Sequence, residues 1–174
     1  MSAAMSYSLQ ASQAQVVVLK IGALRLMLPQ GDVRTLESAT DVTSADPPAN
    51  GVGWINYASQ RWPVFCLSHE LEFLLSVPAA RRACVLLPVA SGYVGVLCDD
   101  AGILAQFSGQ RHDVPLAMRL PASPVCGLVV LADGLACVSD GDAVARFLSG
   151  HVAPAEPMPT AIIFDAKERS SDGC

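Results

Sequence analysis

Charge is scarce in this chain: 16% of its 174 residues are Asp, Glu, Lys or Arg, against 52% hydrophobic ones. A disordered chain needs the opposite balance, so a folded, core-forming protein is expected. The 11 Lys and Arg residues are outnumbered by 16 Asp and Glu, for a net charge of −5, and only Arg81-Arg82 stand side by side. Binding to a phosphate backbone needs a concentrated basic surface, so nucleic acid is not an expected partner. Long apolar runs are missing as well. The most apolar stretches, Ala83 to Ala90 and Val94 to Cys98, fall far short of the roughly 18 residues a membrane span requires. Met1 to Gln15 is small and polar, with no basic start and no apolar run of signal-peptide length. A soluble, intracellular protein without membrane insertion is the expectation.

Signatures of catalysis and cofactor binding are equally thin. There is no phosphate-cradling G-x-x-x-x-G-K-[ST] loop and no G-x-G-x-x-G fingerprint. Asp99-Asp100 and Asp140-Gly141-Asp142 lack the regular oxygen spacing of a calcium loop and read as turn and helix-cap residues. Six cysteines, Cys66, Cys84, Cys98, Cys126, Cys137 and Cys174, include no C-x-x-C pair. Five of them lie in apolar, strand-like surroundings and read as small buried hydrophobes rather than disulfides. Cys66-x-x-His69 is half of a zinc signature, and the isolated His112 and His151 do not supply the other half. The same two residues are the one arrangement resembling a nucleophile and its base, without an orienting third group or oxyanion element. No metal, no cofactor and no catalytic residue are expected; a small cysteine-dependent enzyme remains the alternative from another class.

What the chain does have is short apolar runs punctuated by turn residues, the pattern of β structure. Val16 to Ile21 and Leu24 to Leu28 flank Gly22-Ala23, suited to a type II′ turn, and Pro29 closes the pair. Asp32 is positioned to cap a helical turn carrying Val33 and Leu36. Thr40 to Gly51 reads as a loop. Strands follow at Val52 to Tyr57 and Trp62 to Cys66 around the polar turn Ala58 to Arg61, then a short helix His69 to Leu75 behind Ser68 as N-cap, ended by Pro78. Cys84 to Val89, Tyr93 to Cys98 and Ile103 to Phe107 read as strands, and Pro115 to Pro124 as irregular. Val125 to Leu131 and Leu135 to Val138 are joined by the hairpin signal Asp133-Gly134. Asp140 or Asp142 opens a helix through Phe147-Leu148, with Gly150 at its C-terminal cap. Thr160 to Phe164 is an apolar run that docks as an added strand or helix start, and Lys167 to Cys174 reads as a frayed tail.

The second half repeats the first. Gly53 to Leu74 aligns with Gly127 to Leu148 at an offset of 74 residues, with Gly53/Gly127, Ala58/Ala132, Val64/Val138, Phe73/Phe147 and Leu74/Leu148 identical. Two similar β subdomains related by duplication and burying a common interface are expected.

Gly53-Trp54-Ile55-Asn56-Tyr57-Ala58-Ser59 followed by Pro63-Val64-Phe65-Cys66-Leu67 resembles the core of the CheW-like chemotaxis adaptor family, G-x-x-N-L-R-G then P-V-x-D-L. The first hairpin with Pro29 and Val33, the segment Tyr93 to Asp100, and the last hairpin with Asp140 resemble other parts of that family in the same order. The likeness runs from Val16 to Leu148. It implies a mainly β fold of two five-stranded, barrel-like (SH3-like) subdomains around a shared core, with short helices. The expected organisation is a flexible N-terminus (1–15), one CheW-like domain (16–150) and a partly flexible C-terminal extension (151–174).

The resemblance further implies a non-catalytic cytoplasmic adaptor, working at membrane-associated receptor arrays. Its expected partners are the regulatory domain of a CheA-type histidine kinase and the cytoplasmic tips of methyl-accepting receptors. The candidate partner-binding residues are Val33, Arg34 and Thr35, and Gly53, Trp54, Asn56, Ala58 and Arg61; Asn56, Pro63 and Leu67 also match positions that shape the hairpin. Trp54 and Trp62 read either as core or as exposed aromatic anchors, with Tyr57 on the strand face opposite Trp54. The chain departs from the family at three places: Ala58-Ser59 stands for the Arg-Gly turn, Cys66 for an Asp, and Thr35 for an acidic residue. These departures point to a divergent member, of a type IV pilus (twitching motility) or other alternative chemosensory system. They also leave open a spacer or competitor in an array without kinase coupling.

Overall fold

The computed structural model describes residues 15–105 and 109–150. Residues 1–14 of the expected N-terminal tail (1–15), the end of the expected strand at Phe107, and the readings of Thr160 to Phe164 and Lys167 to Cys174 lie outside the described residues.

The hairpin patterns fold as hairpins. Strand β1 (Val16–Ile21) returns as β2 (Leu24–Pro29) through Gly22 at φ 59°, the positive value that a type II′ turn assigns to its first central residue. Strands β4 (Gly53–Tyr57) and β5 (Gln60–Leu67), β7 (Ala83–Val89) and β8 (Gly92–Cys98), and β11 (Gly127–Leu131) and β12 (Gly134–Val138) form three more antiparallel pairs. Short strands β3 (Thr35–Ser38), β6 (Phe73–Leu74), β9 (Asp100–Leu104) and β10 (Arg111–His112) extend the sheets, and one helix, α1 (Gly141–Ser149), closes the described chain. Among the described residues, no helix is long and apolar enough to cross a membrane.

One sheet runs β10-β11-β12-β2-β1-β9 and the other β3-β7-β8-β5-β4, with β6 paired to β5. Each therefore has the expected five strands plus a two-residue addition. Each is built from two hairpins joined by one parallel contact, Leu26 beside Cys137 in the first sheet and Phe65 beside Val96 in the second. The repeat is visible in this arrangement. Strands β4 and β11 share one burial pattern along their five residues, and β5 and β12 start at Gln60 and Gly134, which the 74-residue offset relates. The halves are interleaved, however, because each sheet takes one hairpin from each half. The third strand of each half also crosses over, β3 onto β7 and β9 onto β1.

Strand alternation then fills two kinds of core. Leu19, Ile21, Leu26 and Leu28 from one sheet meet Phe65, Leu67, Val85, Leu87 and Val96 from the other, with Val144 and Leu148 of α1 completing this shared layer. The opposite face of the second sheet encloses Val52, Ile55, Val64, Cys66, Cys84, Leu86 and Leu97, and that of the first a smaller set of Val16, Met27, Val129 and Ala136.

Three local expectations change. Asp32 ends a 3-10 turn (Gln30–Asp32) rather than capping one, and Val33 to Ser38 is extended because β3 gains a backbone ladder on β7. The Asp32 carboxylate instead accepts the Gly141 N–H at 2.8 Å, capping α1 from across the fold. No helix forms after Ser68: its hydroxyl accepts the N–H groups of Glu70 and Glu72, Leu71 takes φ 64°, and the chain turns back. Seven residues make a poor helix nucleus, whereas pairing with β5 seats Phe73 against Phe65 and stacks it on Phe147. The Ala58 to Arg61 turn is two residues long, Ala58-Ser59, with Gln60 and Arg61 already in the ladder. Gly150 caps α1 as expected, in right-handed conformation (φ −62°). Asp140 is the N-cap, accepting from Ala143 at 2.6 Å.

A buried charge pair ties the two sheets. Arg81 is 8% exposed; its guanidinium pairs with the Asp99 carboxylate and donates to the Leu67 carbonyl at 2.8 Å. Asp99, read from sequence as a turn residue, also accepts the Gly22 N–H at 2.8 Å and donates its own N–H to Lys20 at 2.7 Å. Removing one member strands the other charge in the interior, which costs about 3–5 kcal/mol. Asp99→Ala is therefore expected to lower the urea unfolding free energy by that amount. Arg81→Met is expected to cost less, since the remaining Asp99 side chain is 16% exposed and keeps the Gly22 N–H.

Candidate functional site

The eight candidate residues gather around the second sheet, but not as one surface. Val33 packs on the shared core, and Gly53 is buried where a Cβ would lie 2.5 Å from the Thr43 carbonyl oxygen. Thr35 is half-buried on the edge strand β3, its hydroxyl donating to Glu37 at 3.0 Å. Trp54, Asn56 and Arg61 share one face of β4–β5: Asn56 pairs directly with Arg61, and the Arg61 guanidinium lies over the Trp54 ring at 5.1 Å. The Trp54 indole N–H is held by the Asp46 carbonyl at 2.7 Å, so this tryptophan is half-buried under its own loop.

The opposite face carries a second group that only strand parity hinted at. Tyr57 and Trp62 both pack edge-on against Tyr93, each with ring centroids 5.2 Å apart, and the Trp62 indole donates to the Tyr57 carbonyl at 3.0 Å. Edge-to-face geometry of this kind adds to the burial it accompanies. The ring of Trp62 packs against Gly92, where a Cβ would meet it at 2.0 Å. Arg34, which is exposed, donates to the Tyr57 hydroxyl at 2.9 Å, and that contact holds its guanidinium above the ordinary arginine range. Because β3 and β4 are the two edges of this sheet, the Arg34–Tyr57 contact and the Thr43–Trp54 bridge close it into a barrel.

Ala58 and Ser59 form the tip between these faces, both exposed and both with positive φ, 51° and 64°. That is the type I′ turn a two-residue hairpin favours, made here without glycine or asparagine. The structure thus brings together Trp54, Asn56 and Arg61 on one side, Arg34 with Tyr57 on the other, and Ala58 at the apex. Parity reasoning reached the Trp54 face. The Arg34–Tyr57 contact was hidden because it joins residues of non-adjacent strands.

Cys66 and His69 do not form a reactive pair. Cys66 is fully buried in β5, and desolvation pushes its thiol up, against the opposing pull of the Arg81 guanidinium. His69 stands on the exposed turn beyond it, beside Gly22. Cys84 and Cys98 are also fully buried and Cys137 half-buried, whereas Cys126 is exposed, contrary to its reading as a buried hydrophobe. No group of metal-ligating side chains occurs among the described residues.

No family model matches the chain, and no curated protein matches it. Among solved structures, the scaffolding protein TtCheW from Thermoanaerobacter tengcongensis is similar, with a TM-score of 0.59 and 15% sequence identity over 73% of this chain and 88% of that chain. At that identity the likeness is one of fold, and the expected fold class, mainly β with two sheets over a shared core, is borne out.

Burial pushes the thiols of Cys84 and Cys98 from the usual 9.0 up to about 12. The unfolded chain loses these protons near pH 9 and the native chain only near 12, so the native state holds more protons between the two. Their contribution to stability is complete below about pH 9 and drains away as pH climbs toward 12. Urea midpoints should hold steady from pH 7 to 8.5 and fall steeply from pH 9.5 upward; Cys84→Ala/Cys98→Ala flattens that fall.

Proposed function

We propose that this chain is a divergent CheW-like adaptor: a non-catalytic scaffold that couples chemosensory receptors to a CheA-type histidine kinase through protein–protein contacts. The observation that carries the reading is the interleaved two-sheet fold, shared with a CheW scaffolding protein across nearly nine-tenths of that protein. Two features of this chain agree with it. The family-like segments around Gly53, Gly95 and Asp140 fall on the β4–β5 hairpin, on β8 and at the N-cap of α1. Among the described residues, the three fully buried cysteines are held protonated, and Cys66 forms no reactive pair with the exposed His69.

In this reading the β4–β5 tip is the partner-binding end. Trp54 with Arg61 on one side and Arg34 with Tyr57 on the other offer aromatic and cationic groups already fixed by contacts within the chain. Arginine and tryptophan are enriched among the residues that carry binding energy, and fixing them beforehand lowers the ordering cost. The work would be done in the cytoplasm, at receptor arrays, in a pilus-type or other alternative pathway.

One observation favours a second reading. The apex of the hairpin presents only a methyl and a hydroxyl, Ala58 and Ser59, where the family's arginine would stand. A scaffold with such a tip would occupy an array as a spacer or competitor without engaging the kinase.

Titration of the full chain with the regulatory domain of the chemosensory kinase from the same genome separates the two. Coupling predicts saturable binding at or below tens of micromolar, weakened about tenfold or more by Trp54→Ala or Arg61→Ala. Binding to receptor tips alone supports the spacer reading. In that case Ala58→Arg/Ser59→Gly, which restores the family turn and relieves a strained φ, should bring kinase binding back. Binding to neither partner overturns the adaptor assignment.

A further inference from the structure

The 74-residue repeat relates the interior of one barrel to that of the other. In the second sheet Val52, Ile55, Val64 and Cys66 are buried together, and Val42 packs on them from the segment that bridges to β4. The same offset takes the first four to Cys126, Val129, Val138 and Asp140. Strand register supplies the fifth. Thr43 pairs with Trp54 and His112 with Leu128, positions the offset relates, so Arg111 of β10 stands where Val42 stands. The two glycines agree. A Cβ on Gly53 would meet Val42 and the Thr43 carbonyl, and one on Gly127 would meet Arg111 and the His112 carbonyl.

Three core positions of one barrel, Val42, Val52 and Cys66, are thus Arg111, Cys126 and Asp140 in the other. Arg111 and Cys126 are exposed and Asp140 half-buried, and all three line a cavity of about 210 Å³ floored by Val16, Met27, Val129 and Val138. The Arg111 guanidinium donates to the Cys126 carbonyl at 2.9 Å, and the Asp140 carboxylate accepts the Ala143 N–H at 2.6 Å. Among the described residues neither has a salt-bridge partner. A cation and an anion therefore share one apolar cavity without neutralising each other.

We infer that this cavity binds an aliphatic α-amino acid as its zwitterion. The Arg111 fork pairs with the ligand carboxylate, Asp140 accepts from its ammonium group, and the aliphatic side chain covers the floor. Charge complementarity selects this occupant. A fatty acid would leave Asp140 without a counter-charge, an aliphatic amine would leave Arg111 without one, and a small ion would leave the apolar floor bare. The cavity is smaller than the roughly 300–1,000 Å³ of sites that take drug-sized ligands, which suits a molecule of the size of leucine. So held, the ligand joins the β10 edge to the N-terminus of α1, a closure the second barrel makes with its own Val42, Val52 and Cys66.

Cys126 reports occupancy, because it is exposed and lines the cavity. The full chain is titrated with L-leucine by calorimetry and alkylated with iodoacetamide with and without leucine, labelling being read residue by residue by peptide mass spectrometry. Leucine should bind saturably, with half-saturation on the order of 1 mM or below. At ten times that concentration Cys126 should label about tenfold more slowly, as occupancy requires, while the fully buried Cys84 stays protected throughout. Leucinamide and N-acetylleucine each lack one charge and should bind roughly tenfold or more weakly, as should leucine to Arg111→Gln and to Asp140→Asn. Asparagine keeps a competent helix cap, so the second variant stays folded. Arg111→Val, which installs the residue of the other half, should abolish binding with an unchanged circular dichroism spectrum. Neither saturable heat nor Cys126 protection at tens of millimolar leucine overturns the inference. So does equal affinity for leucinamide or N-acetylleucine, or undiminished leucine affinity in Arg111→Gln and Asp140→Asn. No kinase or receptor enters the measurement, so its outcome is independent of the adaptor reading.

Discussion

A guanidinium with almost no access to water is the constraint on which the rest of the architecture turns. Arg81 satisfies its charge on Asp99 and one of its N–H groups on the carbonyl that ends β5, and Asp99 reaches in turn to the β1–β2 turn at Gly22. The three backbone segments so joined belong to both sheets. Such a pair adds little net stability over well-packed apolar residues, but it penalises every arrangement in which the charges part. It therefore selects one register for the two sheets. Ile21, Leu67 and Cys98, each next to one of these contacts in sequence, all fall in the shared core when that register holds.

The interleaving of the halves depends on the same selection. Neither half owns a sheet: β2 finds its parallel neighbour in β12 and β8 finds its in β5, so each half alone would leave hairpin edges unpaired. Long-range capping repeats the theme, with Asp32 completing the N-terminus of α1. The two copies of the 74-residue repeat exchange hairpins and so form one unit, and they differ on the outer ends of β4–β5 and β11–β12, where the exchange makes no demand.

What the sequence made legible was whatever depends on neighbours along the chain. Gly22 marks the first hairpin and Asp133-Gly134 the last, and strand limits near both were read to within a residue or two. Asp140 as helix cap and the parity of Trp54 against Tyr57 belong to the same class. Illegible were the contacts made by residues whose local signal points elsewhere. Ser68 and Asp32 both carry an N-cap signature, and both use the same oxygen chemistry on a different target, a tight turn in one case and a distant helix in the other. Asp99 read as a turn residue because its counter-charge is 18 positions away. The Arg34–Tyr57 contact follows only from closure of the second sheet, which no local pattern encodes.

The β4–β5 turn shows a backbone shape held independently of its own side chains. Ala58 and Ser59 hold positive φ values that glycine or asparagine adopts at lower cost, roughly 1 kcal/mol apiece. A turn kept in that geometry by unsuited residues is imposed from outside. The ladder from Tyr57–Gln60 to Gly53–Val64 fixes its ends, and the Trp62 indole clamps the Tyr57 carbonyl. The backbone shape is thus set by its surroundings and makes no demand on the side chains at its tip. The positive charge nearby sits instead at Arg34 and Arg61, one beside each aromatic face, and each is held by a ring of its own chain. This end thus carries cations fixed on its flanks and uncharged side chains at its apex.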